Sequence, residues 1–226
     1  MSRAAERVSV VTGTDFTAEK RVAATTAAAL VENGMVVGLG TGSTVAELVP
    51  VLAARRLDIT CAATSPATEA QAVALGLVVR PFTDIDRLDI AIDGADQVDP
   101  AGWLVKGGGG AHTRERIVAA AADRFIVIAS SDKPVARIHA PVPLELLAFG
   151  LAATLRELPD AALRDAPLTP DGGVLADYQG EVGDPADLAA RLDAAPGVVA
   201  HGLFPPSLVS TVLIARGDEV EMRQIG

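Results

Sequence analysis

The sequence predicts an α/β fold: a mainly parallel, Rossmann-like sheet with helices on both faces, plus a small α+β domain. Three observations predict it. Across residues 17–129 short apolar runs alternate with helical segments, the pattern of strands buried on both faces of a sheet. Each polar, Gly-rich loop directly follows an apolar run, as at the carboxyl rim of a parallel sheet, where such folds bind ligands. Past His139 the rhythm breaks at Pro141 and Pro143, and a separate set of helices and strands follows.

Residues 1–13 show no hydrophobic period and read as a loose arm. Residues 17–33 read as a helix with Thr17 as N-cap, an Ala-rich body and Asn33-Gly34 as the stop. A strand at 35–39, a turn at Gly40-Thr41-Gly42-Ser43-Thr44 and a helix at 45–55 make one β-loop-α unit. The pattern repeats with strand 59–63, helix 66–75 stopped by Gly76, strands 77–79 and 88–92, helix 113–122 and strand 125–129. Beyond the prolines come a helix at about 146–158, a turn at Pro170-Asp171-Gly172-Gly173 and a strand at 174–178. A helix opened by Asp184-Pro185, a strand at 198–204, a last strand at 208–215 and a hairpin at Gly217-Asp218 complete the chain.

The densest chemistry follows the 88–92 strand. Asp93-Gly94-Ala95-Asp96 is succeeded by Lys106-Gly107-Gly108-Gly109-Gly110-Ala111-His112-Thr113-Arg114-Glu115, a concentration of charge that a strand-to-helix connection does not need. Four successive glycines imply that the backbone approaches something closely. Earlier, Thr41, Gly42, Ser43 and Thr44 open a helix, so free amides and hydroxyls there suit a phosphate; a tight turn with Ser/Thr capping is the plainer alternative. The dinucleotide fingerprint fails because Ser43 stands where its third Gly or Ala should be, and the Walker pattern lacks its Gly-Lys-Ser/Thr ending. In isolation Lys106 reads equally as a solvated lysine and Glu115 as an ordinary first-turn acid, whose helix dipole keeps it ionised and available as a base.

These three loops, in this order, resemble the signatures of the A-type ribose-5-phosphate isomerase family. The likeness runs from about Lys20 to Pro196-Gly197-Val198-Val199 and Gly202-Leu203-Phe204. It implies that the last strand returns to the main sheet, so that residues 1–139 and 208–226 form a Rossmann-like catalytic domain and 140–207 a small α+β domain. It implies an aldose–ketose isomerase of the pentose phosphate pathway, interconverting ribose 5-phosphate and ribulose 5-phosphate through an enediol(ate) without a cofactor. Glu115 matches the family's base, Lys106 and the amides of Gly107, Gly108 and Gly109 would stabilise the enediolate, and Asp93 and Asp96, flanking Gly94 and Ala95, would handle ring oxygen and hydroxyls. The division between the two aspartates stays open. Lys20 and Lys133 match phosphate-reaching positions on resemblance alone, and Thr64-Ser65 is expected to border the site. His112 departs from the family's apolar residue, either touching the site or simply packing.

Composition narrows the partners. The net charge of −10 opposes nucleic acid and anionic membrane surfaces, while local lysines and amides can still hold a small anion. The apolar stretches at 22–31 and 118–122 are too short or interrupted to span a bilayer, so no membrane span is expected. The N-terminus has no signal-peptide core, and the single Cys61, an inert thiol on an apolar strand, has no internal partner; both favour the cytoplasm. His112, His139 and His201 show no metal-ligand spacing, so no metal is expected. The resemblance also implies a homo-oligomer, dimer or tetramer. Two other classes compete: a non-catalytic sugar-phosphate sensor, which has no use for Glu115 together with Lys106, and an acyl or coenzyme A transferase with Glu115 as nucleophile.

Overall fold

Alternation along four strands decides how the central sheet is covered. In a computed structural model, which describes residues 16–226, odd and even positions of these strands enter different cores. Val37, Leu39, Ile90, Ile92, Ile126, Ile128, Leu213 and Ala215 face one core, while Ala91, Phe125, Val127, Ala129, Val212 and Ile214 face another. The arm expected at 1–13 lies outside the described residues.

The chain runs α1 (Thr17–Ala28), β1 (Val36–Leu39), α2 (Ser43–Arg55), β2 (Thr60–Ala63), α3 (Pro66–Ala74), β3 (Val78–Val79) and β4 (Ile90–Gly94). Two short strands, β5 (Gln97–Val98) and β6 (Leu104–Val105), precede α4 (His112–Ala120) and β7 (Phe125–Ser130). Then come β8 (Val142–Leu146), α5 (Leu151–Glu157), β9 (Ala161–Leu163), β10 (Val174–Tyr178), α6 (Pro185–Asp193), β11 (Val198–His201), β12 (Leu203–Phe204), β13 (Thr211–Arg216) and β14 (Glu219–Gln224).

The main sheet has the order β14-β13-β7-β4-β1-β2-β3, parallel throughout except for β14. Helices α1 and α2 supply Ala23, Ala27, Leu48 and Leu52 to one core, and α4 supplies Val118 and Ala119 to the other. From β1 the chain winds outward to β2 and β3, and it then returns to β4 on the opposite side of β1. The crevice between the ends of β1 and β4 is therefore the topological switch point, where a doubly wound sheet binds its ligand.

Several boundaries differ from expectation. Phe16, not Thr17, occupies the N-cap position of α1, and the helix ends at Ala28. Asn33 serves the next turn instead: its Oδ1 accepts the Asp58 N–H at 2.8 Å. The helix expected from 146 begins only at Leu151, because 142–146 is strand β8, central between β11 and β10. Val142, Leu144 and Leu146 are fully buried on one side of it, and Pro143 is accommodated where pairing with β11 gives out beyond His201. The strand expected at 198–204 is two strands in two sheets, broken at Gly202, whose N–H donates to Pro143 O at 2.7 Å. The last strand starts at Thr211 after a 3₁₀ turn and enters the main sheet beside β7, as anticipated.

Candidate active site

Asp93 at the end of β4 organises the floor. Its Oδ1 accepts the backbone N–H groups of Gly94 at 2.7 Å and Thr41 at 3.1 Å, which ties the β1 loop to the β4 loop across the switch point. Gly40 permits this approach, since a Cβ there would lie 1.9 Å from Asp93 Cγ. Gly40→Ala is therefore expected to cost about 3 kcal/mol of stability and to lower turnover, measured by thermal melting and activity assay. An Ala variant as stable and active as the parent would show that Asp93 moves freely.

Beyond Gly40 the chain turns through Gly42 at φ +110° and enters α2 at Ser43. The first amides of this helix face the crevice with nothing of the helix's own to bond, together with the positive end of its dipole. Thr41 is braced from behind by a hydroxyl contact of 2.7 Å with Thr64. An anion fits here without further machinery.

Lys106, just after β6, is the buried cation of the site, 2 % exposed. Its backbone N–H donates to Gly202 O at 2.9 Å, and its ammonium lies 5.5 Å over the Phe204 ring. Nζ donates to Gly94 O at 2.5 Å and stands 2.8 Å from Asp93 Oδ2 and 3.1 Å from Glu115 Oε2. The Glu115 contact is an ion-pair distance off the line of a hydrogen bond. One ammonium thus serves two buried carboxylates, and only one of them can be neutralised.

Burial and then the neighbouring Asp93 carboxylate push the Glu115 pKa up to about 8, against the opposing pull of Lys106. Burial raises Asp93 as well, but Lys106 and two backbone N–H groups resist the rise. Lys106 itself is held above the ordinary lysine range, because the two carboxylates outweigh its burial. The two acids share one ammonium, and burial favours the neutral form of each. The helix dipole expected to keep Glu115 ionised is opposed: its backbone lies in the first turn of α4, but its carboxyl is 5 % exposed beside another acid.

A cavity of about 100 Å³ opens onto this group. Thr41, Gly42, Ser43, Thr44 and Lys133 line one part, and Gly94, Ala95, Asp96, Lys106, Gly107, Gly108, Gly109 and Glu115 line the rest. Asp96 is held by the Gly108 N–H on its Oδ2 at 2.9 Å. Asp93 does not line the cavity but stands behind Lys106. Neither does Lys20; its neighbour Glu19 accepts the Ser131 N–H at 2.8 Å and so braces the loop that carries Lys133. Thr64 and Ser65 border a larger cavity of about 390 Å³ next door, which shares Gly108 and Gly109 but not Lys106 or Glu115.

His112 is a packing residue. It is fully buried, and a Cβ on Gly107 would meet its ring at 2.6 Å, so it supports the glycine loop from beneath; burial pushes its pKa down to about 4. The Cys61 thiol is buried in β2 and pushed up to about 12 by desolvation, hence unreactive. Among the described residues no group of three or more His, Cys, Asp or Glu side chains is placed to hold a metal ion. Two residues gain a role that the sequence reading did not give them: Phe204 under Lys106, noted only within the Gly202-Leu203-Phe204 resemblance, and Arg164, whose guanidinium reaches the glycine loop. Arg164 lies in no motif, and no local pattern points to it.

An anion cradle beside a buried lysine shared by two carboxyl groups, at the switch point of a doubly wound sheet, defines an acid–base enzyme for a small charged substrate. Residues 60–219 match the family model of ribose 5-phosphate isomerase A (phosphoriboisomerase A). Ribose-5-phosphate isomerase A of Sphingopyxis alaskensis is 41 % identical over 94 % of this chain and 98 % of the relative. Ribose 5-phosphate isomerase A from Neisseria gonorrhoeae superposes with a TM-score of 0.89 at 27 % identity, over 94 % of this chain and 99 % of that one. A D-ribose-5-phosphate isomerase solved in complex with phospho-erythronic acid gives 0.87 at 30 % identity, over 93 % and 100 %. The chain belongs to the ribose 5-phosphate isomerase A family.

Proposed function

We propose that this protein interconverts D-ribose 5-phosphate and D-ribulose 5-phosphate, the aldose–ketose step of the non-oxidative pentose phosphate pathway. The observation that carries the chemistry is Lys106 held between Asp93 and Glu115 at the edge of an anion cradle. The substrate phosphate sits on the α2 amides and the hydroxyls of Thr41, Ser43 and Thr44, with Lys133 alongside and Lys20 adding positive charge on that side. This remote anchor positions the sugar carbons.

Glu115 in its ionised form takes the proton from C2, and the aldehyde oxygen acquires charge. Lys106 and the amides of Gly107 and Gly109 stabilise that charge, the proton on O2 passes to O1, and Glu115 returns its proton to C1, while the Gly108 amide holds Asp96. Asp96, at the cavity wall, takes the substrate hydroxyls and shares ring opening with Asp93, which acts from behind Lys106.

The test is incubation with ribose 5-phosphate in deuterated water. Ketose carrying deuterium at C1 is expected, with turnover undiminished by a chelator. Intact binding without product or exchange would favour the sensor reading, and a covalent adduct on Glu115 the transferase one.

The reading extends to the chain's organisation. Residues 1–139 with 208–226 act as the catalytic domain and 140–207 as a small α+β domain; a third buried cluster, built mainly from 142–203 and joined by Val105 and Ile138, supports this. It extends also to a homo-oligomer, dimer or tetramer, in the cytoplasm. No helix among the described residues is long and apolar enough to cross a membrane.

A further inference from the structure

Arg164 follows β9 directly, outside every motif, and its guanidinium is fully engaged. Nε donates to Asp177 Oδ2 at 2.8 Å and Nη2 to Asp177 Oδ1 at 2.6 Å, a two-pronged pairing that fixes the plane of the fork. The remaining nitrogen, Nη1, donates to two carbonyls of the glycine loop, Gly107 O at 3.0 Å and Gly108 O at 3.2 Å. The Arg164 side chain is 18 % exposed and its partner 19 %, so both ends of the clamp are largely shielded from water.

A trans peptide points its C=O and N–H in opposite directions. With the Gly107 carbonyl drawn onto Arg164, the Gly108 N–H points away from it, and it is found on Asp96 Oδ2 at the cavity wall. The same constraint on the Gly108 carbonyl turns the N–H of Gly109, another cavity residue, away from the guanidinium. Glycines have no side chain to hold such peptides, and a flipped one would aim carbonyl lone pairs at the developing anion.

We propose that Arg164, fixed by Asp177, is a positioning residue that sets the peptide orientation of the catalytic glycine loop, holding carbonyls out of the cavity, the Gly108 amide on Asp96 and the Gly109 amide toward the reacting oxygens. This rests on the isomerase reading above and deepens it. A lysine at this position cannot reproduce the clamp, since it lacks the planar fork that binds Asp177 and two carbonyls at once.

Arg164→Met and, separately, Asp177→Asn are compared with the parent in turnover of ribose 5-phosphate, inhibition by inorganic phosphate and inhibition by phospho-erythronic acid. The last carries a carboxylate where the enediolate charge develops. In Arg164→Met, kcat and affinity for phospho-erythronic acid are expected to fall by roughly 10- to 100-fold, with a smaller loss in Asp177→Asn. Inhibition by inorganic phosphate, which reports the α2 cradle and an intact fold, stays unchanged. Unchanged kcat, equal loss in all three measurements, or loss of kcat with phospho-erythronic acid affinity retained would each overturn the proposal. A parent protein without turnover would instead overturn the isomerase reading.

Discussion

Glu115→Gln is expected to lower kcat by roughly 10²- to 10⁴-fold with little change in KM, and to abolish deuterium uptake at carbon. Gln fills the same space but cannot accept the C2 proton. In the parent, kcat/KM should rise with pH through the limb set by Glu115 at about 8, because only its ionised form is a base. The variant should show no such limb. A parent profile that is flat from pH 6 to 9 would take Glu115 out of the role of base.

The same substitution has a stability signature of opposite direction. Glu115 is raised above its ordinary value of 4.5 in the folded state, so the native protein binds more protons than the unfolded chain between about 4.5 and 8. Stability of the parent therefore falls as pH rises through that window. A neutral Gln escapes the loss, so the variant should melt higher than the parent at pH 8 and gain little at pH 4.5. Such a trade of stability for reactivity is common where a charged group is kept in a dry site.

Lys106→Met is the second large effect, and it strikes both properties together. Removing the ammonium leaves two carboxylates buried without their cation, expected to cost about 3–5 kcal/mol and to lower the melting temperature by roughly 10 °C. Turnover should fall by roughly 10²- to 10³-fold through loss of enediolate stabilisation. Adding Glu115→Gln to Lys106→Met should recover part of the stability, because one stranded carboxylate is gone; the two changes are non-additive. A stability change in the double variant equal to the sum of the two single changes would mean that Lys106 and Glu115 do not interact.

The sequence was most informative where function depends on what a loop contains and where it lies relative to a strand. The unbroken apolar runs at 90–92 and 125–129 mark strands buried on both faces, and the polar loops that follow the apolar runs mark the rim. Legibility failed where the deciding contact is remote. Val142, Leu144 and Leu146 do alternate, but Pro141 and Pro143 mask the pattern, and only pairing on both sides makes the segment a strand. Strands of two residues such as β5 and β6 have no period to detect. The opposing influence on Glu115 was not legible because position on a helix is local, whereas burial beside Asp93 is not. Lys20 is expected at the phosphate on resemblance alone and does not line the cavity; Glu19 beside it fastens α1 to the Lys133 loop.

The bond from the Lys106 N–H to Gly202 O carries a consequence for biosynthesis. Every residue assigned to proton transfer has left the ribosome long before Gly202, Phe204 and the β13 strand that seats against β7 are made. A nascent chain halted between these points carries the full set of reacting groups without the floor that orients the ammonium. Catalytic competence is thus gained late in synthesis, when a long-range closure joins distant parts of the chain, the kind of non-local pairing that slows folding.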